Sequence, residues 1–189
     1  MSVEQLSLLE PVSALPGGFA YRENLVSVAE EAELVSQIAG LELREFEFHG
    51  YVGKRRVTSF GLRYDFNDMA VHEAAEMPDF LMPLRDRAAG FDGLAPTELA
   101  HALVTEYTPG AAIGWHRDRS VFGDVVGISL GAPCRFRFRR KLGDKWERAS
   151  LILMPRSAYL LRGPARHEWQ HSIPPVEDLR YSVTFRSTR

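Results

Sequence analysis

The sequence of 189 residues lacks the marks of several protein classes. Its single cysteine, Cys134, excludes an internal disulfide framework and a cysteine-rich zinc module. No apolar run approaches the about 18 residues that a membrane span needs. The N-terminal region has no basic stretch followed by an apolar one, as a secretory leader would have. We therefore expect a cytoplasmic protein without a membrane partner.

The sequence also lacks a strong charge of either sign. It has 23 lysines and arginines and 25 acidic residues, so the net charge is -2. This balance excludes a uniformly basic coat for nucleic acid but allows a local basic surface. At about 150 residues per domain, the length predicts one domain. We expect a flexible lead-in over residues 1–14, a single domain over 15–189, and a monomer.

Two helices are predicted in the N-terminal half. Ser27 and Glu30 match a capping box, and Gly40 lies where a left-handed C-cap is expected. A second helix is expected over Asp79–Ala89, ending near Gly90.

Short strands are predicted for most of the remaining sequence. Residues 46–66 are rich in aromatic residues and arginines, with turn points at Gly50, Gly53 and Gly61. From residue 101 onward, runs separated by glycine and proline turns predict strands over His101–Tyr107, Asp124–Leu130, Cys134–Arg139, Leu151–Met154, Glu168–Ile173 and Arg180–Arg186. This pattern indicates an α+β protein, mainly β, with a sandwich or jelly roll behind two helices.

A histidine and a carboxylate lie two positions apart in this strand-rich region. On an extended strand, the side chains of His116 and Asp118 would point to the same face, whereas on a helix they would diverge. Two histidines and one carboxylate form the facial-triad ligand set of iron sites, which leaves three metal positions open. His171 is available as the third ligand. The motif is short enough to occur by chance, so other residues have to support it.

The C-terminal strand alternates strictly between polar and apolar residues. Arg180, Ser182, Thr184 and Arg186 share one face, and apolar or aromatic residues share the other. In a barrel, this pattern predicts a polar interior lined by two arginines, one of which could bind a dicarboxylate through its planar guanidinium. The alternative is a solvated edge strand.

A zinc-protease motif overlaps the third candidate ligand. On a helix, His167 and His171 would share a face, with Glu168 as general base. Glycine and prolines on both sides leave only about two turns for such a helix, which is marginal. On a strand, His167, Trp169 and His171 would instead share one face of a barrel wall. The zinc protease is therefore a remote alternative.

Two basic segments bear on the substrate. Arg135, Arg137 and Arg139 alternate with phenylalanines, so they form one face that could contact phosphates, or a merely solvated sheet face. The second segment is Lys54-Arg55-Arg56. Near it lie three aromatic residues that could stack on an unpaired base or pack in a core: Tyr51, Phe60 and Tyr64.

Taken in order, these motifs resemble the AlkB family of iron(II)- and 2-oxoglutarate-dependent dioxygenases. The resemblance is carried by Tyr107-Thr108-Pro109-Gly110, His116-Arg117-Asp118, Ser129-Leu130-Gly131, His171-Ser172-Ile173 and the strand Arg180–Arg186. It implies a double-stranded β-helix (jelly-roll) core over residues 100–189. It also implies N-terminal helices packed on one sheet and a substrate-recognition lid over residues 45–68.

The resemblance implies roles for individual residues, with Fe(II) as the cofactor and 2-oxoglutarate and O2 as cosubstrates. His116, Asp118 and His171 would bind the iron. The residues expected at 2-oxoglutarate are Tyr107, Arg180, Arg186, Thr105 and Ser182. Those expected at the substrate are Tyr51, Arg55, Arg56, Phe60, Tyr64, Trp115 and Ser120.

The implied reaction is oxidative demethylation of alkylated bases in single-stranded DNA or RNA, including tRNA, with release of succinate, carbon dioxide and formaldehyde. Two departures bear on this expectation. Thr105 stands where many members have asparagine, which weakens one contact to 2-oxoglutarate. Ser120 stands where DNA-repairing members place an acidic residue near the target base. The same chemistry on a protein or small molecule is therefore the main alternative.

Overall fold

The computed structural model describes residues 14–48, 51–65 and 68–188, and only the backbone of residues 46–48 and 51–52. The helices are α1 (Val28–Ala39), α2 (Met82–Asp92) and α3 (Gly163–His167), with short 3-10 turns at Asp79–Leu81 and Pro96–Glu98. The strands are β1 (Phe19–Arg22), β2 (Arg44–Phe48), β3 (Tyr51–Phe60), β4 (Leu62–Asp65), β5 (Ala70–Glu73), β6 (His101–Tyr107), β7 (Ile113–His116), β8 (Phe122–Gly131), β9 (Cys134–Leu142), β10 (Lys145–Leu153), β11 (Ser157–Leu161), β12 (Gln170–Ile173) and β13 (Arg180–Thr188). Within the described ranges, no helix combines the length and the apolar character needed to cross a bilayer.

The strands form two main antiparallel sheets and a separate hairpin. The larger sheet has seven strands in the order β1-β11-β8-β13-β6-β3-β2. The smaller sheet has four strands in the order β10-β9-β12-β7, and β4 pairs with β5 alone. The chain passes from β6 in the larger sheet to β7 in the smaller one and back to β8, as in a jelly roll. The predicted mainly β, jelly-roll class is confirmed.

The larger sheet separates two hydrophobic layers. On one side, Ile38 of α1 and Leu84 of α2 pack in a cluster with Val183 and other residues of the sheet. On the other side, Phe136 and Phe138 of the smaller sheet fill the space between the two sheets. The N-terminal helices are therefore packed on one sheet, as predicted, and the other face of that sheet is left for the site.

Strand β13 lies in the middle of the larger sheet, between β8 and β6. Tyr181, Val183 and Phe185 are buried on the helix side. Arg180 and Arg186 are buried on the opposite side, which faces the smaller sheet. The alternation thus marks a polar interior, and the expectation of a solvated edge strand is wrong.

The helix ends differ from the prediction. The capping box of Ser27 and Glu30 is present, but Gly40 has right-handed φ and ψ of -83° and -6°, so the predicted left-handed cap is wrong there. The second helix continues past Gly90 to Asp92 and ends at Gly93, which adopts the left-handed conformation with φ of 80°. A glycine within a helix costs some stability but does not stop it, so Gly90 was a poor marker of the end.

Several strand boundaries also differ. Gly53 lies inside β3, beside a register shift in the pairing of β3 with β2, so it is not a turn point. Gly61 does lie in a turn, with φ of 72°. The strand Ser157–Leu161 was not predicted, because all five residues are buried and therefore do not alternate. The strand predicted from Glu168 starts only at Gln170, because Glu168 is the C-cap of α3. Gly50 and the lead-in over residues 1–13 lie outside the described residues.

Candidate active site

Three side chains that can bind a metal converge between the two sheets. His116 ends β7, Asp118 follows it two residues later, and His171 lies on β12 directly opposite His116 in the antiparallel pairing. One ligand atom from each residue lies within 4.8 Å of those of the other two. The structure therefore brings together the three residues for which the sequence predicts iron binding.

Hydrogen bonds, burial and neighbouring charges give the three ligands the protonation states that metal binding requires. Nδ1 of His116 donates to the carbonyl oxygen of Gly114 at 2.9 Å, which leaves the Nε2 lone pair free. Burial lowers the pKa of His116, and it lowers the pKa of His171 to about 3. Although burial alone would raise the pKa of Asp118, Arg186 and His171 hold it well below its usual range. The site thus presents two neutral imidazoles and one carboxylate.

Arg186 occupies one oxygen of Asp118 and leaves the other directed at the histidines. Its Nε and Nη2 donate to Oδ1 at 2.8 and 2.6 Å, while Oδ2 lies 3.6 Å from Nε2 of His171. The remaining Nη1 of Arg186 lies 3.2 Å from Nδ1 of His101, a buried imidazole stacked on Phe122. Burial lowers the pKa of His101 to about 2, so this nitrogen accepts the hydrogen bond from the guanidinium.

A second buried arginine holds the loop that follows Asp118. Arg166 of α3 donates from Nε to the carbonyl oxygen of Gly123 and from Nη1 to that of Asp118. Its Nη2 donates to the carbonyl oxygens of Arg119 and Phe122, at 2.6 and 2.9 Å. One guanidinium thus binds four carbonyl oxygens of residues 118–123. The backbone that carries Asp118 is therefore held in place without a metal or a cosubstrate.

Arg180 lies at the other end of β13 and is 1% exposed. Its Nε donates to Oγ of Ser129 at 3.2 Å, and its guanidinium carbon lies 4.9 Å from the centre of the Tyr107 ring. Its Nη1 is buried and has no hydrogen-bond partner among the described residues. An unpaired buried donor on a cation is costly unless an acceptor reaches it, and a carboxylate is the acceptor that a guanidinium binds best.

Two more side chains complete this pocket. Arg55 of β3 makes a hydrogen bond to Tyr107, and burial lowers the pKa of its guanidinium. Tyr159 of β11 is buried against Phe136, with ring centres 4.8 Å apart. A Cβ on Gly127 would lie 2.2 Å from Cζ of Tyr159, so the ring fits only because that strand position has no side chain.

Thr105 and Ser182 face each other between the two arginine ends of β13. They are buried, and they are direct neighbours in the pairing of β6 with β13. Ser182 also lies opposite Ser129, the residue that binds Arg180. Both residues are therefore in the row that would line a bound dicarboxylate.

The residues predicted at the substrate are only partly brought to this pocket. Arg55 points into it, but Arg56 lies on the opposite face of β3, where its Nε and Nη2 bind Glu106 at 2.8 and 3.0 Å. Phe60 is buried in the helix-side core. The structure thus contradicts the expectation that Arg56 and Phe60 contact the substrate, because alternation turns both side chains away.

The other predicted substrate residues lie near the pocket entrance or behind it. Tyr64 stacks under Arg119, whose guanidinium carbon lies 5.0 Å from the ring centre, and Ser120 is exposed just after Asp118. Trp115 lies on the outer face of the smaller sheet, against Arg137 and Arg139. The side chain of Tyr51 and residue His49 lie outside the described residues.

The overlapping protease motif does not form a helix that carries both histidines. His167 is exposed at the end of α3, whereas His171 is buried on β12. Glu168 makes an ion pair with Arg140 at 2.5 Å instead of facing a metal. The prediction that His167 shares a strand face with His171 is also wrong, since His167 is the last residue of α3 and lies outside β12.

Sequence reasoning missed four residues of the site: His101, Ser129, Tyr159 and Arg166. Gly127 was an available signal for Tyr159, since a glycine inside a strand often marks the close approach of another group. Arg166 had no such signal, because its partners are backbone carbonyls.

Comparisons with known proteins agree with this geometry. The model of the 2OG-Fe(II) oxygenase superfamily matches residues 18–186. The chain is 30% identical over 97% of its length to the alkylated DNA repair protein ALKBH8 homolog of Arabidopsis thaliana. It is 31% identical over 45% of its length to the uncharacterized protein L905 of Acanthamoeba polyphaga mimivirus. The chain spans 59% and 46%, respectively, of the length of these relatives.

Two solved structures share the fold. OsALKBH1 superposes with a TM-score of 0.71 at 17% identity, covering 94% of this chain and 100% of that one. A prolyl-4-hydroxylase of Pseudomonas putida superposes with a TM-score of 0.62 at 14% identity, covering 91% and 93%. At these identities, the structures support the jelly-roll architecture alone.

The donor set of this chain fits the groups that the family uses. Two imidazoles and a carboxylate suit iron(II), and the unpartnered Nη1 of Arg180 suits a carboxylate of 2-oxoglutarate. The predicted AlkB-like resemblance agrees with the similarity to the ALKBH8 homolog. The chain belongs to the 2OG-Fe(II) oxygenase superfamily, and it is a dioxygenase that uses iron(II), 2-oxoglutarate and O2.

Proposed function

We propose that this dioxygenase demethylates alkylated bases in single-stranded DNA or RNA, including tRNA. The observation that carries the chemistry is the buried triad of His116, Asp118 and His171 beside an arginine with a free donor. The substrate class is supported by the similarity to an alkylated DNA repair protein and by arginines close to the site. The products would be the demethylated base, formaldehyde, succinate and carbon dioxide.

In this proposal, His116, Asp118 and His171 bind the iron. Iron(II) with 2-oxoglutarate and O2 supplies the oxidation of a C–H bond of the substrate. Arg186 keeps Asp118 ionised and holds its Oδ1, so that Oδ2 is the oxygen available to the metal. The Gly114 carbonyl keeps the proton of His116 on Nδ1, which leaves Nε2 for coordination.

Arg180 binds the far carboxylate of 2-oxoglutarate through its Nη1, while Ser129 orients the guanidinium through Nε. Tyr107 lies against the same guanidinium and contributes its hydroxyl, which Arg55 holds in place. Thr105 and Ser182 line the pocket between this end and the triad. Arg55 thus acts on the cosubstrate side, although the sequence had placed it at the substrate.

Among the predicted residues whose side chains the structure describes, Tyr64 and Ser120 remain as candidates for contact with the substrate at the pocket. Tyr64 lies with Arg119 beside the triad, where an aromatic ring and a cation could hold an unpaired base and its phosphate. Ser120 provides a hydroxyl but no carboxylate at the entrance. That absence of charge favours a second candidate, in which the same chemistry acts on a protein side chain or a small molecule.

Succinate formation from 2-oxoglutarate, with iron(II) and ascorbate present, tests the oxygenase reaction and the assignment of the iron ligands. The wild-type protein is expected to turn over, and H116A is expected to fall to background because one ligand is lost. H167A is the matched control, since this histidine is exposed at the end of α3 and is not part of the triad. Equal turnover of the wild type and H116A would contradict the assignment of the ligands.

The substrate is tested by adding oligonucleotides that differ only in base methylation. We expect the methylated strand to increase succinate formation and to release formaldehyde, whereas the unmethylated strand of the same sequence should do neither. Turnover that no methylated DNA or RNA changes would contradict the nucleic-acid substrate and favour the second candidate.

A further inference from the structure

The outer face of the four-stranded sheet carries five basic residues and two tryptophans. This basic face consists of Arg135, Arg137, Arg139, Lys141, Arg148, Trp115 and Trp146. Alternation places these side chains away from the core, since Phe136 and Phe138 between the arginines are buried. Trp146 is 40% exposed, which is unusual for so large an apolar side chain.

The central arginines of this face are held by stacking and by neutral acceptors. The guanidinium carbon of Arg139 lies 4.5 Å from the ring centre of Trp115 and 4.6 Å from that of Trp146. Its Nε donates to Gln170 at 2.7 Å, and Nε of Arg137 donates to Ser172 at 3.0 Å. Stacking uses the flat side of a guanidinium, so the Nη groups in its plane remain able to donate to an anion.

The described part of the protein does not neutralise the charge of this face. Among the described residues, no carboxylate lies within ion-pair distance of its five cations. Arg140, next to Arg139 but on the other side of β9, is paired with both Glu147 and Glu168. The contrast within one strand shows that carboxylates surround the inward arginine and are missing from the outward ones.

The basic face continues to the active site along β7. Trp115 immediately precedes His116, and Arg117 and Arg119 flank Asp118. Arg119 reaches Tyr64 at the entrance, while Trp115 contacts Arg137 and Arg139. A chain molecule with regular negative charges could therefore contact the basic face and the entrance together.

We propose that the basic face binds the phosphate backbone of single-stranded nucleic acid, with Trp146 stacking on a base. Unpaired arginines match phosphates, and an exposed ring beside them matches the face of a base, which is the combination that single strands require. This proposal rests on the proposed function, because a nucleic-acid substrate is the reason for the protein to bind a single strand. It adds a contact surface on the reverse side of the sheet that carries His171.

Fluorescence anisotropy with an unmodified, labelled single-stranded oligonucleotide tests the surface in the iron-loaded protein across a range of salt concentrations. The variant R135Q/R148Q removes two exposed cations for which the described structure has no ion-pair partner. Its slope of log K against log salt is expected to be smaller by about 1.4 than that of the wild type, since each phosphate contact on a single strand contributes about 0.7. R22Q/R44Q, which removes two exposed cations of the larger sheet, is the matched control and should keep the wild-type slope.

Stacking is tested separately with W146A and W146F. We expect W146A to weaken binding about tenfold, and W146F to restore most of it, because any aromatic face can stack on a base. Equal slopes for R135Q/R148Q and R22Q/R44Q would overturn the proposal. Binding of poly-glutamate or of phosphatidylserine vesicles without binding of the oligonucleotide would overturn it as well.

Formaldehyde release from a methylated strand keeps this test apart from the proposed function. Strand binding that depends on Arg135 and Arg148, without formaldehyde release, would support the surface and contradict the demethylation. Formaldehyde release with an unchanged slope in R135Q/R148Q would support the demethylation and overturn the surface.

Discussion

The two ends of strand β13 each bury an arginine, but the two arginines differ in how they are satisfied. Arg186 has Asp118 and His101 as partners within the protein. Arg180 has Ser129 and the face of Tyr107, and its Nη1 has no partner in the part of the chain that the structure describes. The difference separates a cation that builds the metal site from one that is kept ready for an anionic ligand. One strand thus supplies both the frame of the site and the anchor for its cosubstrate.

The largest effect on stability is expected at Arg186, the arginine whose partners lie within the protein. R186L should lower the free energy of unfolding by about 3–5 kcal/mol, because it leaves the buried carboxylate of Asp118 without its main cation. Urea denaturation of the metal-free protein measures this. The double variant R186L/D118L is the control, and it should recover much of the loss because no buried charge remains. A loss below about 1 kcal/mol in R186L would remove the distinction between the two arginines.

A smaller effect on the free energy of unfolding is expected from His101, the other partner of Arg186. Below about pH 6.5, His101 takes a proton in the unfolded chain, whereas the folded imidazole stays neutral because its pKa is lowered to about 2. The unfolded state then binds more protons, so the free energy of unfolding falls as the pH falls. Between pH 7.5 and 5.0, this residue alone accounts for about 2 kcal/mol.

H101Q keeps an acceptor for Nη1 of Arg186 but cannot take up a proton. Urea denaturation at pH 7.5 and at pH 5.0 is therefore expected to show a smaller acid loss for H101Q than for the wild type. The value at pH 7.5 is the internal control, since His101 is neutral in both states there. The same loss in both proteins would show that His101 is not held neutral by the fold.

The smallest change in stability is expected at Arg180. R180L should alter the free energy of unfolding of the free protein by no more than about 1 kcal/mol, since it removes a buried donor that has no acceptor. Addition of 2-oxoglutarate should raise the Tm of the wild type and leave that of R180L unchanged. R22L, an exposed arginine on β1, is the control and should respond as the wild type does. A ligand-induced rise in R180L equal to that of the wild type would contradict the role of Arg180.

The sequence predicted the parts of the site that depend on strand alternation. His116 and Asp118 converge because they are two positions apart on an extended segment, and Arg180 and Arg186 face inward for the same reason. The prediction was less successful where register matters. Arg55 and Arg56 are neighbours, and only their pairing with Tyr107 and Glu106, near the irregularity at Gly53, decides which one enters the pocket.

Other parts of the site depend on contacts that have no sequence pattern. Tyr159 lies on a strand that is buried on both faces, so periodicity did not reveal that strand. Arg166 binds four carbonyl oxygens, and every residue has a carbonyl. The sequence therefore indicated the ligands of the site but not the groups that hold them in place.

The contacts of Arg166 also bear on how this enzyme can change its substrate. Four hydrogen bonds of this arginine go to main-chain oxygens of residues 118–123, and these bonds do not depend on the side chains of Ser120 and Val121. Substitutions at these exposed positions can alter what enters the site while Asp118 keeps its place. The loop thus keeps the position of Asp118 independent of the side chains that line its exposed part.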